Sequence, residues 1–174
     1  MYKRQGHARP LVSTELAHVD DLIDRWQRAW SGRDPDAFAE LCAANVHYED
    51  PLTPEPLEGA AALGRHARRL WDGLPDVRIE RTGERLTDGA FVAAPVRLLG
   101  THRARLGPIP ATGRFLVVHG VFYGELDRGR MKRVRAFFDV YAVAVQLGLL
   151  PNSGSLGERA LLALRGFGLR ATER

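Results

Sequence analysis

The chain has 174 residues, 45% hydrophobic and 26% charged with a net charge of +4, the make-up of one globular domain long enough to bury a sizeable core. Its single cysteine, Cys42, excludes an internal disulfide and a cysteine-built metal site and points to a reducing, cytoplasmic setting. The positive charge is arginine scattered among acids with no recognition signature, so nucleic acid is not the expected partner, and no apolar run approaches the roughly 20 residues that a bilayer requires.

Residues 1–12 are basic without a following apolar stretch and read as a flexible lead, not a secretory signal. From Ser13 onward, Leu16, Val19, Leu22, Ile23, Trp26, Ala29 and Trp30 recur at three- and four-residue steps, which predicts a helix closed by Gly32. Asp34 as cap and Pro35 in the first turn open a second helix that carries Phe38, Leu41 and Cys42 inward. Residues 46–50 read as a short strand stopped by Pro51. After a proline-containing loop, Gly59 opens a third helix with Leu63, Ala67, Leu70 and Trp71 on its apolar face. Beyond Pro75 the period changes to two, predicting strands at about 76–87, 90–101, 113–126 and 131–141, separated by turn-forming residues. Helices followed by a run of antiparallel strands make an α+β domain over residues 13–151, with the sheet curled around the first helix and a pocket between them. Residues 152–174 form a separate amphipathic helix, opened by a capping box of Ser155 and Glu158 ahead of Leu161, Leu162, Leu164 and Phe167. It packs on the domain or on a second subunit, or closes over the pocket.

Strand alternation sorts the polar candidates. On the last strand Arg133, Arg135, Phe137 and Asp139 share one face, either facing water or lining a cavity, while Val134, Ala136 and Phe138 share the core face. Val46, Tyr48 and Asp50 lie together, opposite His47 and Glu49; Asp50 before Pro51 either begins a turn or presents a carboxylate. His119, in an almost continuous apolar strand, has Val117, Val121 and Tyr123 as face-mates and is either a hydrogen-bonded core residue or a pocket group. Trp26 and Trp30 are core or pocket wall. The histidines His7, His18, His47, His66, His102 and His119 show no metal-binding spacing, and neither a nucleophile elbow nor a phosphate-binding loop is present, so no metal and no cofactor are expected. Cys42 on an apolar helix face reads as an inert buried thiol.

Two stretches carry a resemblance. Asn45-Val46-His47-Tyr48-Glu49-Asp50-Pro51, continuing to Gly59, is similar to the first-strand segment of ketosteroid isomerases and SnoaL-like cyclases. Phe137-Phe138-Asp139-Val140-Tyr141, followed by Gln146-Leu147-Gly148, resembles the C-terminal signature of the SnoaL-like polyketide cyclases of the nuclear-transport-factor-2-like superfamily. Gly100-Thr101-His102, Pro110 to Arg114 and His119-Gly120-Val121-Phe122 extend the likeness over about residues 14–151.

The resemblance implies a cone-shaped sheet wrapped on the helices, a homodimer through the outer sheet face, and a cofactor-independent acid/base enzyme. The reaction it implies is an intramolecular aldol-type ring closure on a hydrophobic carbonyl-bearing molecule such as a polyketide. In that reading Asp139 is the acid/base with its pKa raised by the apolar surroundings, and His119 and Arg135 orient it or stabilise charge on the substrate oxygen. Asp50 is a further catalytic candidate, and Tyr48, Trp26, Trp30, Phe137 and Tyr123 bind substrate. Ketosteroid-type isomerisation is disfavoured, because Trp26 stands where a tyrosine is needed and the partner acid is missing near Gly120. An epoxide-hydrolase-like site fits Tyr48, Asp50 and Asp139, but Arg103-Ala104-Arg105 lacks the acid of its relay. A small-molecule-binding or dimerisation module without catalysis is the alternative of a different class.

Overall fold

The computed structural model describes residues 13–165; the expected flexible lead and Phe167 of the terminal helix lie outside the described residues. Three helices come first, α1 (Ser13–Gly32), α2 (Ala37–Leu41) and α3 (Ala60–Gly73), interleaved with strands β1 (Cys42–Glu49) and β2 (Leu57–Glu58). The long strands follow: β3 (Arg78–Arg81), β4 (Leu86–Thr87), β5 (Phe91–Thr101), β6 (Phe115–Asp127) and β7 (Arg130–Phe138). Two helices end the described chain, α4 (Val140–Gln146) and α5 (Leu156–Leu164). The strands make one open, curved sheet in the order β2-β1-β7-β6-β5-β3, with β4 paired to β5. Every pairing is antiparallel except β1 with β7. A parallel pair needs a long crossover, and everything between β1 and β7 supplies it. The expected α+β architecture is thus borne out, with a parallel seam that the chain order did not disclose.

The helical period of α1 does what its sequence implies: Val19, Leu22, Ile23, Trp26, Ala29 and Trp30 are all buried. Trp26 and Trp30 sit edge-on to Phe38, and both lie against Tyr48 of β1 and Phe122 of β6. The Trp71 indole of α3 donates to the Trp30 carbonyl at 2.7 Å. Arg85, whose side chain is 4% exposed, ties the loop before β4 to α1 through Asp20, Asp24 and Gln27. Cys42 is buried, and burial pushes its thiol up to about 12.

Three sequence expectations are corrected, and a fourth, the capping box of the terminal helix, is met. Asp34 does not cap α2: it accepts from the Asp36 amide at 3.0 Å in a local turn, and the helix starts later. The strand expected at 76–87 is two short strands, β3 and β4. The last strand stops at Phe138, because Asp139 caps α4 by accepting from the Ala142 amide at 2.8 Å. In α5, Ser155 accepts from the Glu158 amide at 3.2 Å and the Glu158 carboxylate accepts from the Gly154 amide at 2.6 Å, yet the helix buries no residue. With Leu156 and Leu164 at 80% and 86% exposure, none of the described residues of α5 is buried against the domain or lines its cavity.

The Gln146-Leu147-Gly148 segment has a mechanical role. The Gln146 side chain accepts from the Val117 amide and donates to the Val117 carbonyl, at 2.8 and 2.9 Å. It thereby continues the sheet where β7 has run out, and Arg114 donates to the Gln146 carbonyl at 2.8 Å. Gly148, at φ +80°, leaves room for that guanidinium: a Cβ there would meet Arg114 Nη1 at 2.9 Å. This latch holds α4 across one end of the sheet.

Candidate active site

Inside the curve, between α1, α3, α4 and the sheet, lies a cavity of about 90 Å³. Its wall is almost wholly aliphatic and aromatic, including Trp30, Leu70, Leu98, Leu116, Val118, Phe122 and Phe138, with Val140 and Val143 of α4 at one side. Three polar side chains interrupt it: Tyr48, Asp50 and His66. Strand parity brings Tyr48 inward, at 0% exposure, and its hydroxyl donates to Asp50 Oδ2 at 2.9 Å. His66 Nε2 meets the same oxygen at 2.7 Å, with both side chains under 10% exposed. The other oxygen, Oδ1, accepts from the Leu52 amide at 2.7 Å, while Thr53 closes the turn on the Asp50 backbone. The two readings of an Asp-Pro pair are both true here: one carboxylate oxygen builds the turn and the other builds the site.

At Asp50 burial and hydrogen bonding act in opposite directions. Burial is the largest single influence on Asp50 and raises its pKa. The hydrogen bond and charge of His66, the Leu52 amide and the Tyr48 hydroxyl together outweigh it and leave the carboxyl below its usual value. Burial and the adjacent Asp50 charge push the Tyr48 hydroxyl well above the usual phenol range, so it stays a donor. With Asp50 ionised, its Oδ2 is the acceptor and His66 Nε2 the donor of the 2.7 Å hydrogen bond.

The other candidates fall elsewhere. Trp30 lines the cavity, whereas Trp26 is wholly buried in the aromatic core outside the lining. Asp139 is exposed, caps α4 and lies outside the lining. His119 is exposed on the outer sheet face, opposite the buried Leu116, Val118 and Phe122. Arg135 is outward too, donating to Glu49 at 3.0 and 2.8 Å. Phe137 is 53% exposed, and Tyr123, at 45%, stacks on Phe91. The expectation that the Arg133–Asp139 face and the His119 face line the pocket is therefore corrected: β6 and β7 turn those faces outward, because their alternate residues fill the core. Arg103-Ala104-Arg105 lies in a loop, not a strand.

His66 was missed as a site residue, although a signal existed. It falls three residues after Leu63 and four before Leu70, so the helical period sets a titratable ring in the middle of an apolar stripe. Among the described residues no group of three His, Cys, Asp or Glu side chains is placed to hold a metal ion, and no helix is long and apolar enough to cross a membrane.

Comparison with known proteins agrees with this architecture. A protein of Jannaschia sp. CCS1 named for the SnoaL-like polyketide cyclases superposes with a TM-score of 0.71 at 18% identity, covering 82% of this chain and 99% of that one. TsrD from Streptomyces laurentii gives 0.69 at 21% identity over 77% and 97%. IdmH from Streptomyces antibioticus gives 0.66 at 20% over 75% and 98%. These likenesses concern the fold; no curated protein matches the chain. The family model for SnoaL-like polyketide cyclases matches residues 20–147, more than half of the sequence, and the chain belongs to that family.

Proposed function

We propose that this protein is a cofactor-independent acid/base enzyme that closes a ring, by an aldol-type step, on a hydrophobic carbonyl-bearing molecule of polyketide type. The observation that carries this reading is the Asp50–His66–Tyr48 cluster set into an otherwise apolar cavity. The Asp50–His66 pair takes the proton from a carbon beside a carbonyl, the resulting enolate attacks a second carbonyl, and the new alkoxide recovers a proton. Tyr48 holds Asp50 in place, and the apolar walls fold the substrate so that the two carbonyls meet. Asp139, outside the cavity, serves as the helix cap.

At about 90 Å³ the cavity is well below the roughly 300–1,000 Å³ typical of ligand pockets. A polyketide-sized ligand therefore enters by displacing α4 or the loop bearing Leu106, both of which contribute to the wall. The test is a thermal-shift screen against polycyclic ketides, steroids and terpene epoxides, with product analysis for whichever class binds. A ligand at 100 times its Kd adds about 2.7 kcal/mol of stability. A ketide that binds and is returned cyclised supports the reading; an epoxide returned as a diol moves the chemistry to water activation by Tyr48 and Asp50; a stabilising ligand returned unchanged makes the protein a binding module.

The partner in this reading is a second copy, docked through the outer sheet face. That face exposes Phe91, Tyr123 and Phe137 around Arg133, Arg135, Glu49 and Glu125, a mixture of apolar area and both charge signs suited to a self-complementary two-fold contact. Phe137→Glu should give a monomer by sedimentation equilibrium; a wild type that is already monomeric at tens of micromolar refutes the assignment.

A further inference from the structure

We infer that Leu106, carried by the loop between β5 and β6, is the gate residue that determines which ring systems reach the Asp50–His66–Tyr48 cluster. An apolar cavity of about 150 Å³ holds a benzene ring, and this one, at about 90 Å³, is smaller. Even a single substrate ring therefore enters only when part of the wall moves. Most of the lining belongs to α1, α3 and the sheet, whose inner residues form the hydrophobic core. Pro51 and Leu52 stand in the turn held by Asp50, so shifting them dismantles the cluster itself. The helix α4 is capped at Asp139 and bound through the Gln146 side chain to both backbone groups of Val117. The loop over residues 103–112 is held far less. At its base His102 donates to the Arg114 carbonyl and accepts from the Gly113 amide, each at 2.9 Å, and at its tip Leu106 and Ile109 exchange backbone hydrogen bonds at 3.0 and 3.1 Å. The tip pair lies within the loop and travels with it. Among the described residues, the loop's backbone hydrogen bonds to α3 come from the Arg103 and Ala104 amides, at 3.0 and 3.3 Å, and both go to the one carbonyl of Gly73. Leu106 rests on that same glycine: a Cβ at Gly73 would stand 3.1 Å from Leu106 Cδ1. Swinging the loop outward breaks two bonds to one carbonyl and lifts two half-buried aliphatic side chains, Leu106 and Ile109, while the acid/base cluster stays assembled.

This inference rests on the reading of the cavity as a substrate site, and the experiment separates the two. Cyclopentanone and the fused bicyclic ketone 1-tetralone are titrated into full-length wild type, Leu106→Ala and Val143→Ala. Association rates are taken from NMR exchange at the methyl groups of Leu70 and Val118, which line the cavity. Both substitutions remove carbons from the wall, but only the first shortens the gate. Leu106→Ala should raise the association rate of 1-tetralone about tenfold, equivalent to about 1.4 kcal/mol off the opening barrier, and that of the smaller cyclopentanone by less. Val143→Ala should leave both rates within about twofold of wild type. If Val143→Ala raises the rate as much as Leu106→Ala, or neither does, the inference fails and the cavity reading stands. If neither ketone perturbs the Leu70 and Val118 methyl groups in any of the three proteins, both fail. Should Leu106→Ala not fold, amide hydrogen exchange of the wild type decides. The Arg103 and Ala104 amides, bonded to Gly73, should exchange faster than those of Val117 and Leu147, bonded to Gln146 and Val143; equal protection overturns the inference.

Discussion

Asp50→Asn is expected to lower ring-closing turnover by about 10²–10⁴-fold, the range for loss of a positioned acid/base group, whereas Asp139→Asn should stay within a few-fold of wild type. The contrast follows from placement. Asp50 is buried in the cavity wall and shared between His66 and Tyr48; an amide in its place cannot hold the His66 proton on Nε2 as a carboxylate does. Asp139 is exposed and its one structural task, accepting from the Ala142 amide, is within the capacity of Asn. Steady-state kinetics on the ketide identified by the binding screen measures both, and a dead Asp139→Asn beside an active Asp50→Asn would overturn the assignment. The same substitution has a signature in stability. The Asp50 pKa is depressed in the folded protein, so its contribution is present above about pH 4, the unfolded carboxylate value, and is lost as pH falls through the lower folded value. The melting temperatures of wild type and Asp50→Asn should therefore converge as pH drops below about 4; acid limbs that run parallel would show that Asp50 is not the stabilised carboxylate.

Gly120→Ala should cost about 3 kcal/mol, at the upper end for overpacking, and lower the melting temperature by roughly 6–12 °C for a domain of this size. A Cβ at Gly120 would stand 2.4 Å from Phe138 Cδ1 and 2.5 Å from the Phe137 carbonyl oxygen. The ring could swing away only by invading the cavity that it lines, and the carbonyl is held in the β6–β7 pairing. Gly124→Ala on the same strand is the control, because its nearest neighbours, Val92 Cγ1 at 3.2 Å and Met131 Sδ at 3.3 Å, are side-chain atoms that can yield. Calorimetry of both variants decides; equal losses would mean that β7 shifts freely. The packing also explains why no acid stands at Gly120: the space for a side chain is taken by Phe138.

The candidate site is half legible in the sequence. Tyr48 and Asp50 followed from alternation along β1, and Trp30 from the stripe of α1. Only the resemblance puts Asp139 and His119 in the pocket: in β7 the Val134–Ala136–Phe138 face reads as core, and in β6 neither face stands out. In β6, Leu116, Val118 and Phe122 alternate with Val117, Val121 and Tyr123, so both faces read as apolar and hydrophobicity does not choose between them. A one-residue change of parity exchanges the faces entirely, and only the packing of Phe122 in β6 against Trp26 and Trp30 of α1 decides which face is enclosed. His66 was hidden because a helix period reports a buried stripe without naming what lies across from it.

What the sequence by itself determined is local: the helical stripe from Val19 to Trp30, the Val134–Ala136–Phe138 core face and the Ser155–Glu158 cap. These follow from side-chain periodicity and nearby backbone hydrogen bonds, which span only a few residues. What only the tertiary structure decided is non-local: the parallel β1–β7 seam, the Gln146 latch onto Val117, and the meeting of Asp50 with a histidine 16 residues away. Each of these depends on where one element stops and how the next is laid across it, and in this chain a single carboxylate, Asp139, ends the last strand and starts the helix that covers the cavity.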